Sequence, residues 1–427
     1  RSVRLELIET EYEAMSSADL IGITDLDKIQ SEISVIADDM ISAKQHLTRL
    51  KFVPIRRNAV TGAIEKLTRF KMNTSIIGVD NPRSSAASAF STSSKLASGS
   101  WYKVSVSEDG IYNITYSDLE ALGLDPTTID PRKISLYGNG GGMIPIINGD
   151  TRPDDLQENA IMVIGESDGT FDSDDKIVFY GQGPHRWSMA DSSSCMVFHH
   201  TKHLYSEKTF YFIKVGSGNG KRIQNQANAD TPYNTVATSF DDYNFFESDN
   251  HNLLKSGREW YGQVLDITTS QSVSFGFADR ITAEPIKLRT NVVSRSIGIP
   301  SNFQFNVNGS EFAVTPSSVT GEYYQKYAET AISCQEINAG TSSVNIDLDF
   351  NKAVSNAQGW LDHVEVNVRR NLVYSGTELI FRDLQSVGVG KVTEFRLANT
   401  GSSVSLWDVT DPINVRRQLV DQNGSTQ

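Results

Sequence analysis

The chain has 427 residues, 9% of them aromatic, and a formal net charge of −13, which allows several hydrophobic cores and suggests about three domains. The acidic balance argues against nucleic-acid binding, which needs a basic footprint. The longest apolar runs, Met143–Ile147 and Ala160–Ile164, are far shorter than the ~20 residues of a membrane helix, so the chain is not expected to be transmembrane.

The overall pattern is mainly β: several β-rich domains in series, with few short helices. Residues 1–79 read as an N-terminal β-rich domain. Within it, Ile29 to Leu47 fits a helical face or a strand, with strand favoured. Lys51–Ile55 and Leu67–Met72 flank Thr61-Gly62 as a hairpin whose core would be Phe52, Leu67, Phe70 and Met72. Residues 80–100 are a Ser-rich linker, expected to be exposed and mobile because such a composition buries too little to offset ordering.

Residues 101–238 form a second β-rich domain with a short helix. Trp101–Val106 alternates, Asp109-Gly110 suggests a tight hairpin turn, and Ile111–Ile114 would be the return strand. Ser117 is a candidate N-cap, Leu119 and Leu122 the apolar face of the helix, and Gly123 its stop. Lys133–Tyr137, Ile177–Tyr180 and Thr209–Val215 read as further strands. Residues 239–412 alternate repeatedly, at Val273–Phe277, Ile286–Val293, Phe303–Val307, Val344–Leu348 and Val364–Val368. That spacing predicts a jelly-roll-like β-sandwich.

Four groups could carry chemistry. Cys195, His199, His200 and His203 lie close together, but His199 and His203 at i, i+4 share a face only on a helix, and their neighbours favour strand. A polar, half-exposed segment is the preferred reading. A nucleophilic Cys195 would need a base and an oxyanion hole that one strand cannot supply. Two cysteines admit one disulfide but no framework, a usage that suits a secreted protein; Cys334 reads as a small core hydrophobe. Asp168, Asp172, Asp174 and Asp175 crowd one loop and are the candidate calcium ligands, although the spacing is not that of an EF-hand and a solvated acidic turn is the competing reading. The glycine run Gly138–Gly142 lacks the Lys-Ser/Thr and helix start of a phosphate-cradling loop and reads as a backbone turn. Arg258, Glu259 and Trp260 could be a binding surface; an ion pair beside a packed Trp is favoured. Trp260 and Trp360 are both expected to serve the core.

Several phrases together resemble one family. They are Trp101–Tyr112 (WYKVSVSEDGIY), Tyr137–Gly142 (YGNGGG), Ser256–Gly262 (SGREWYG), Gly359–Asp362 (GWLD) and Leu406–Pro412 (LWDVTDP). In this order they resemble the region ahead of the catalytic domain in the PorU family, the gingipain-like cysteine peptidases that act as sortases of the type IX secretion system in Bacteroidetes. The first 80 residues match more loosely. The resemblance implies a secreted protein at the bacterial cell surface, associated with the outer membrane. It implies a parent enzyme, a cysteine endopeptidase and transpeptidase that cleaves C-terminal secretion signals from cargo and attaches the cargo to anionic lipopolysaccharide. The implied partners are the downstream peptidase domain, an outer-membrane β-barrel protein and cargo proteins with C-terminal signals. No catalytic residue carries over, because neither Cys195 nor Cys334 matches the family's nucleophile. The chain is therefore expected to be a non-catalytic N-terminal region, cut from a longer protein, with residues 413–427 linking toward an absent peptidase domain. A stand-alone carbohydrate- or protein-binding β-sandwich of a secreted surface protein is the alternative, and a structural surface-layer segment a third.

Overall fold

A computed structural model describes residues 2–20, 26, 29–42, 45–77, 91–147, 149–191, 194–255, 257, 259–376, 378–401 and 404–421. The chain divides into two compact units, residues 1–92 and 93–427.

In the first unit β1 (Ser2–Ala14) runs antiparallel to the last strand, and β2 (Ile36–Ser42) and β3 (Gln45–Lys51) form a separate hairpin. β4 (Ile55–Arg57) and β1 flank β5 (Ile64–Ile77) in a three-stranded sheet. The expected hairpin is thus displaced: its first arm is Ile55–Arg57, not Lys51–Ile55. Asn58 closes the turn, its Oδ1 accepting from the amides of Val60 and Thr61. This Asx turn sets the register. Phe70 is consequently exposed and meets Phe52 only edge-on, while Ile64 is buried. The ambiguous stretch from Ile29 to Leu47 is irregular up to Val35, strand over Ile36–Ser42 and strand again from Gln45. Of the expected linker, residues 80–90 lie outside the described residues. Residues 91–100 are exposed, with one 3-10 turn at Lys95–Ala97 whose first amide donates to Asp155 at 2.6 Å.

The second unit begins with a middle domain. Its elements are β6 (Tyr102–Val106), β7 (Gly110–Thr115), α1 (Tyr116–Ala121), β8 (Ile134–Tyr137), β9 (Glu158–Asn159), β10 (Met162–Ile164), β11 (Lys176–Gly181), β12 (Arg186–Met189), β13 (Phe198–Thr201) and β14 (Thr209–Val215). They build the sheets β6-β14-β8-β9 and β10-β11-β7, plus the hairpin β12-β13. Ile114, Leu119, Phe171, Phe179, Tyr211 and Ile213 form the core. β6 and β7 are not a hairpin: β6 pairs with β14 and β7 with β11. Asp109 turns away to accept the Gly183 amide at 2.8 Å, and Gly110 has no left-handed φ. Splitting the two strands between sheets lets each bury its apolar side. The helix is capped two residues earlier than expected, by Thr115 in a capping box with Asp118.

The remaining strands are β15 (Gln224–Gln226), β16 (Thr235–Ala237), β17 (Ser239–Glu247), β18 (Val264–Leu265), β19 (Ser270–Gly276), β20 (Ile286–Arg295), β21 (Asn302–Val307), β22 (Ser310–Val314), β23 (Glu329–Ile337), β24 (Ser343–Asn351), β25 (Gln358–Asn371), β26 (Thr393–Phe395), β27 (Leu406–Asp408) and β28 (Arg416–Gln418). Two antiparallel sheets, β17-β25-β20-β23 with β18 on β25, and β19-β24-β21-β22, make a β-sandwich. Leu288, Phe303, Phe305, Val364 and Val366 lie wholly inside it. Gly359 sits where a side chain would strike Phe303 and Phe350, so the two sheets close tightly there. β28 then returns to pair in parallel with β15. The fold class is as expected: β-rich domains, one of them a sandwich, with a single α-helix among the described residues.

Candidate functional site

β25 carries the chemistry. Its inward residues Val364, Val366 and Val368 fill the core, so Glu365 and Asn367 point to the outer face of the sheet. A β-bulge between Asn291 and Val292 of β20 inserts an extra residue on β25, which places Asp362 and His363 side by side. Bulges re-aim side chains in this way.

The hairpin β12-β13 covers this outer face. Asn367 accepts the amides of Val197 and Phe198 at 2.8 and 2.7 Å. Glu365, 2% exposed, accepts from the His200 amide at 2.9 Å, from His199 Nδ1 at 3.1 Å and from Arg289 at 3.1 Å. Burial opposes its charge, but His199, the His200 amide and Arg289 together hold its carboxyl below the usual range. Trp187 stacks on Tyr243 at 3.9 Å, and His200 stacks on Phe245 at 3.4 Å. Burial lowers the His200 pKa, which favours the neutral ring. A disulfide between Cys195 and Cys334, Cα atoms 6.2 Å apart, fastens the hairpin to β23.

The polar contacts continue along the sheet. Arg289 donates to His363 Nε2 at 2.9 Å, so the His363 proton sits on Nδ1, facing Asp362 at 3.1 Å. Asn291 donates to Asp362 at 2.7 Å and accepts from Thr330 at 2.7 Å. Beside Asp362 opens a cleft of about 550 Å³, lined by Glu247, Asp249, Glu259, Trp260, Tyr327 and Asp362 among others. Trp260 is 42% exposed, its indole N–H donating to the Gly257 carbonyl at 3.2 Å. Burial first, then Glu259 and Asp362, push the Tyr261 phenol up to about 12. The cleft thus offers exposed aromatic faces among carboxylates, a surface suited to binding.

The expected site residues scatter. The calcium candidates do not form a cage. Asp168 accepts the Thr170 amide, and Asp175, 8% exposed, accepts the Asp172 amide. Among the described residues no three His, Cys, Asp or Glu side chains gather into a group that could hold a metal ion. His199 is on a strand, and His203 Nδ1 accepts the amides of Tyr205 and Ser206. Cys334 is a disulfide partner, not a lone packed thiol, and Cys195 has no thiol to act as nucleophile. Trp360 is buried as expected, at 3% exposure, whereas Trp260 lines the cleft. Of the Arg258–Glu259 pair, Arg258 lies outside the described residues.

One constellation escaped the sequence reading. Ser194 Oγ lies 2.9 Å from His199 Nε2, whose Nδ1 faces Glu365. This is the order of a serine-hydrolase row. Two features argue for a structural role. Ser194 Oγ also accepts the Met196 amide, and Arg289 shares the Glu365 carboxylate that would orient the base. Ser194 lines neither this cleft nor the one described below.

No family model matches the chain, and no curated protein matches it significantly. Among solved structures it is similar to dimeric latent PorU from Porphyromonas gingivalis, with a TM-score of 0.63 and 20% identity, covering 78% of this chain and 30% of that one. The fold is therefore that of a PorU-like region, and the chain spans about 30% of that protein's length. Weaker matches include the CBM36-1 domain of a multidomain xylanase from the hindgut metagenome of Trinervitermes trinervoides, at TM-score 0.21 and 10% identity, over 32% of this chain and 100% of that one. A CBM36 carbohydrate-binding module in complex with calcium and xylotriose gives 0.19 and 12%, over 30% and 99%. At such scores neither match carries an argument about this chain.

Proposed function

We propose that this chain is the non-catalytic front region of a gingipain-like sortase at the bacterial cell surface, similar to PorU. The observation that carries the reading is the shared fold across 78% of the chain. The placement of the family phrases supports it. Tyr137–Gly142 forms the turn after β8, Gly359–Asp362 opens β25, and Leu406–Pro412 supplies β27 and the loop that leads back to β15. In this reading the chain braces a peptidase domain that meets cargo proteins and an outer-membrane β-barrel partner, while cleavage and transpeptidation belong to that domain. The disulfide supports the division of labour, because it occupies both cysteines of the chain. The test is the gene beyond codon 427, together with an assay of this chain on fluorogenic peptides. A cysteine-peptidase domain downstream and no turnover by the chain are expected. A stop codon there, or turnover lost on Cys195→Ala, would overturn the reading.

The aromatic, carboxylate-lined cleft favours a second reading, a carbohydrate- or protein-binding sandwich. Titration with cell-surface glycans, and loss of any binding on Trp260→Ala, separates it from the first.

A further inference from the structure

A second cleft, of about 310 Å³, lies on the middle domain, lined by the glycine turn after β8, by β14 and by Lys103 of β6. We propose that it binds an oxyanion of the phosphate class, carried on a small apolar group. Its side chains are donors. His203 Nδ1 accepts the amides of Tyr205 and Ser206 at 3.1 and 2.9 Å, which puts the ring proton on Nε2, and that N–H has no acceptor among the described residues. Asn139 Oδ1 accepts the Gln157 amide at 3.1 Å, which leaves the NH₂ end of Asn139 as the available one. Lys103 holds its ammonium 3.6 Å from the centre of the Phe210 ring, and Lys208 lines the same space.

None of the residues lining the cleft is an acid. The neighbouring carboxylates are engaged elsewhere. Glu207 faces His185 Nε2 at 3.1 Å, and Asp155 accepts the amides of Lys95 and Leu156. In a chain of net charge −13, two ammonium groups without a carboxylate partner among the described residues mark a local reversal of potential. Phosphate oxygens accept from ammonium, imidazole and amide donors together, and ionised partners make these bonds the strong ones. The Phe210 ring offers an apolar face to the organic group. The wall packs closely: a side chain at Gly141 would collide with the Gly183 carbonyl, and the Gly142 amide donates to the Pro184 carbonyl at 2.9 Å.

Isothermal titration of the whole chain with phenyl phosphate tests the proposal, with inorganic phosphate and benzoate as the comparison arms. Saturable binding is expected, tightest for phenyl phosphate. Lys208→Glu should weaken it by ~tenfold or more, the scale of one charge-assisted bond. Lys103→Glu should do the same. Lys326→Glu, in the sandwich cleft, should leave it unchanged, and all three variants should keep the parent melting temperature. No saturable heat at millimolar phenyl phosphate would overturn the proposal. So would benzoate binding as tight as phenyl phosphate, or binding that survives both lysine substitutions.

Discussion

Glu365 is the residue on which the covered face of the sandwich depends. At 2% exposure it accepts three donors, two of them from the hairpin β12-β13. Glu365→Ala leaves Arg289 without its carboxylate and strands the His200 amide. Breaking one side of a buried pair costs about 3–5 kcal/mol. In a cooperative unit spanning residues 93–427 that lowers Tm by roughly 4–7 °C, from an unfolding entropy of about 0.7 kcal/mol/K. Glu365→Gln keeps one acceptor and should cost about 1–3 kcal/mol. The pH dependence has a definite sign. The Glu365 carboxyl titrates below its ordinary value of 4.5, so its contribution is present above that value and is lost as pH falls through the lower, folded one. His200 is lowered from 6.5 by burial, so the unfolded chain takes up its proton first and stability begins to fall as pH drops below 6.5. Differential scanning calorimetry from neutral to acidic pH reads both steps. The expected profile loses stability in two stages, and Glu365→Gln makes the lower stage shallower without removing it, because Asp118, Asp266 and Asp411 are also held below their ordinary values. A Glu365→Ala protein that melts within about 1 °C of the parent at neutral pH would refute the argument, since that shift corresponds to less than ~1 kcal/mol.

Three further outcomes are expected. Replacing both cysteines by serine opens a loop whose ends are 139 positions apart and should cost about 2–5 kcal/mol, read as a drop in melting temperature that added reductant reproduces in the parent but not in the variant. Trp360→Ala should cost about 3–5 kcal/mol, whereas Trp260→Ala should stay within ~1 kcal/mol, a contrast that urea unfolding of the two proteins measures directly. A fluorophosphonate probe should leave the chain unlabelled, and labelling that disappears on Ser194→Ala would make the Ser194–His199–Glu365 row catalytic instead of structural.

The strands that were legible in the sequence bury one face and wet the other. Thr209–Val215, Phe303–Val307 and Val344–Leu348 alternate because half of each faces a core. β25 was legible at Val364–Val368, and it runs from Gln358 to Asn371. Its outer face carries Glu365 and Asn367, which are covered by a hairpin some 170 positions earlier. Polar side chains buried by a polar partner leave no periodic trace. The pairing of β6 and β7 was misjudged for a related reason: Asp-Gly is a strong local turn signal, but sheet partners are chosen by distant burial. The Ser194–Glu365 relation was invisible, because His199 and Glu365 are 166 positions apart and nothing local marks Glu365. Trp260 was assigned to the core on residue type alone, and only its position at the rim of the cleft separates it from Trp360.

The middle domain and the sandwich are knitted together at three places, and this bears on what the chain can do. The β12-β13 hairpin of the middle domain lies on the sandwich sheet, and the disulfide fastens that hairpin to β23. The third tie comes from the segment after the sandwich. The Ile413 carbonyl accepts from the Ala160 amide at 2.9 Å and from Lys221 at 3.2 Å, Val415 is 2% exposed, and β28 adds to β15. Two domains joined only by a linker would reorient freely. Here each would have to release hydrogen bonds and a covalent bridge to move. A segment of chain leaving β28 therefore starts from a point fixed relative to both clefts. The proposed bracing role needs such a fixed point, whereas a string of independent binding modules does not.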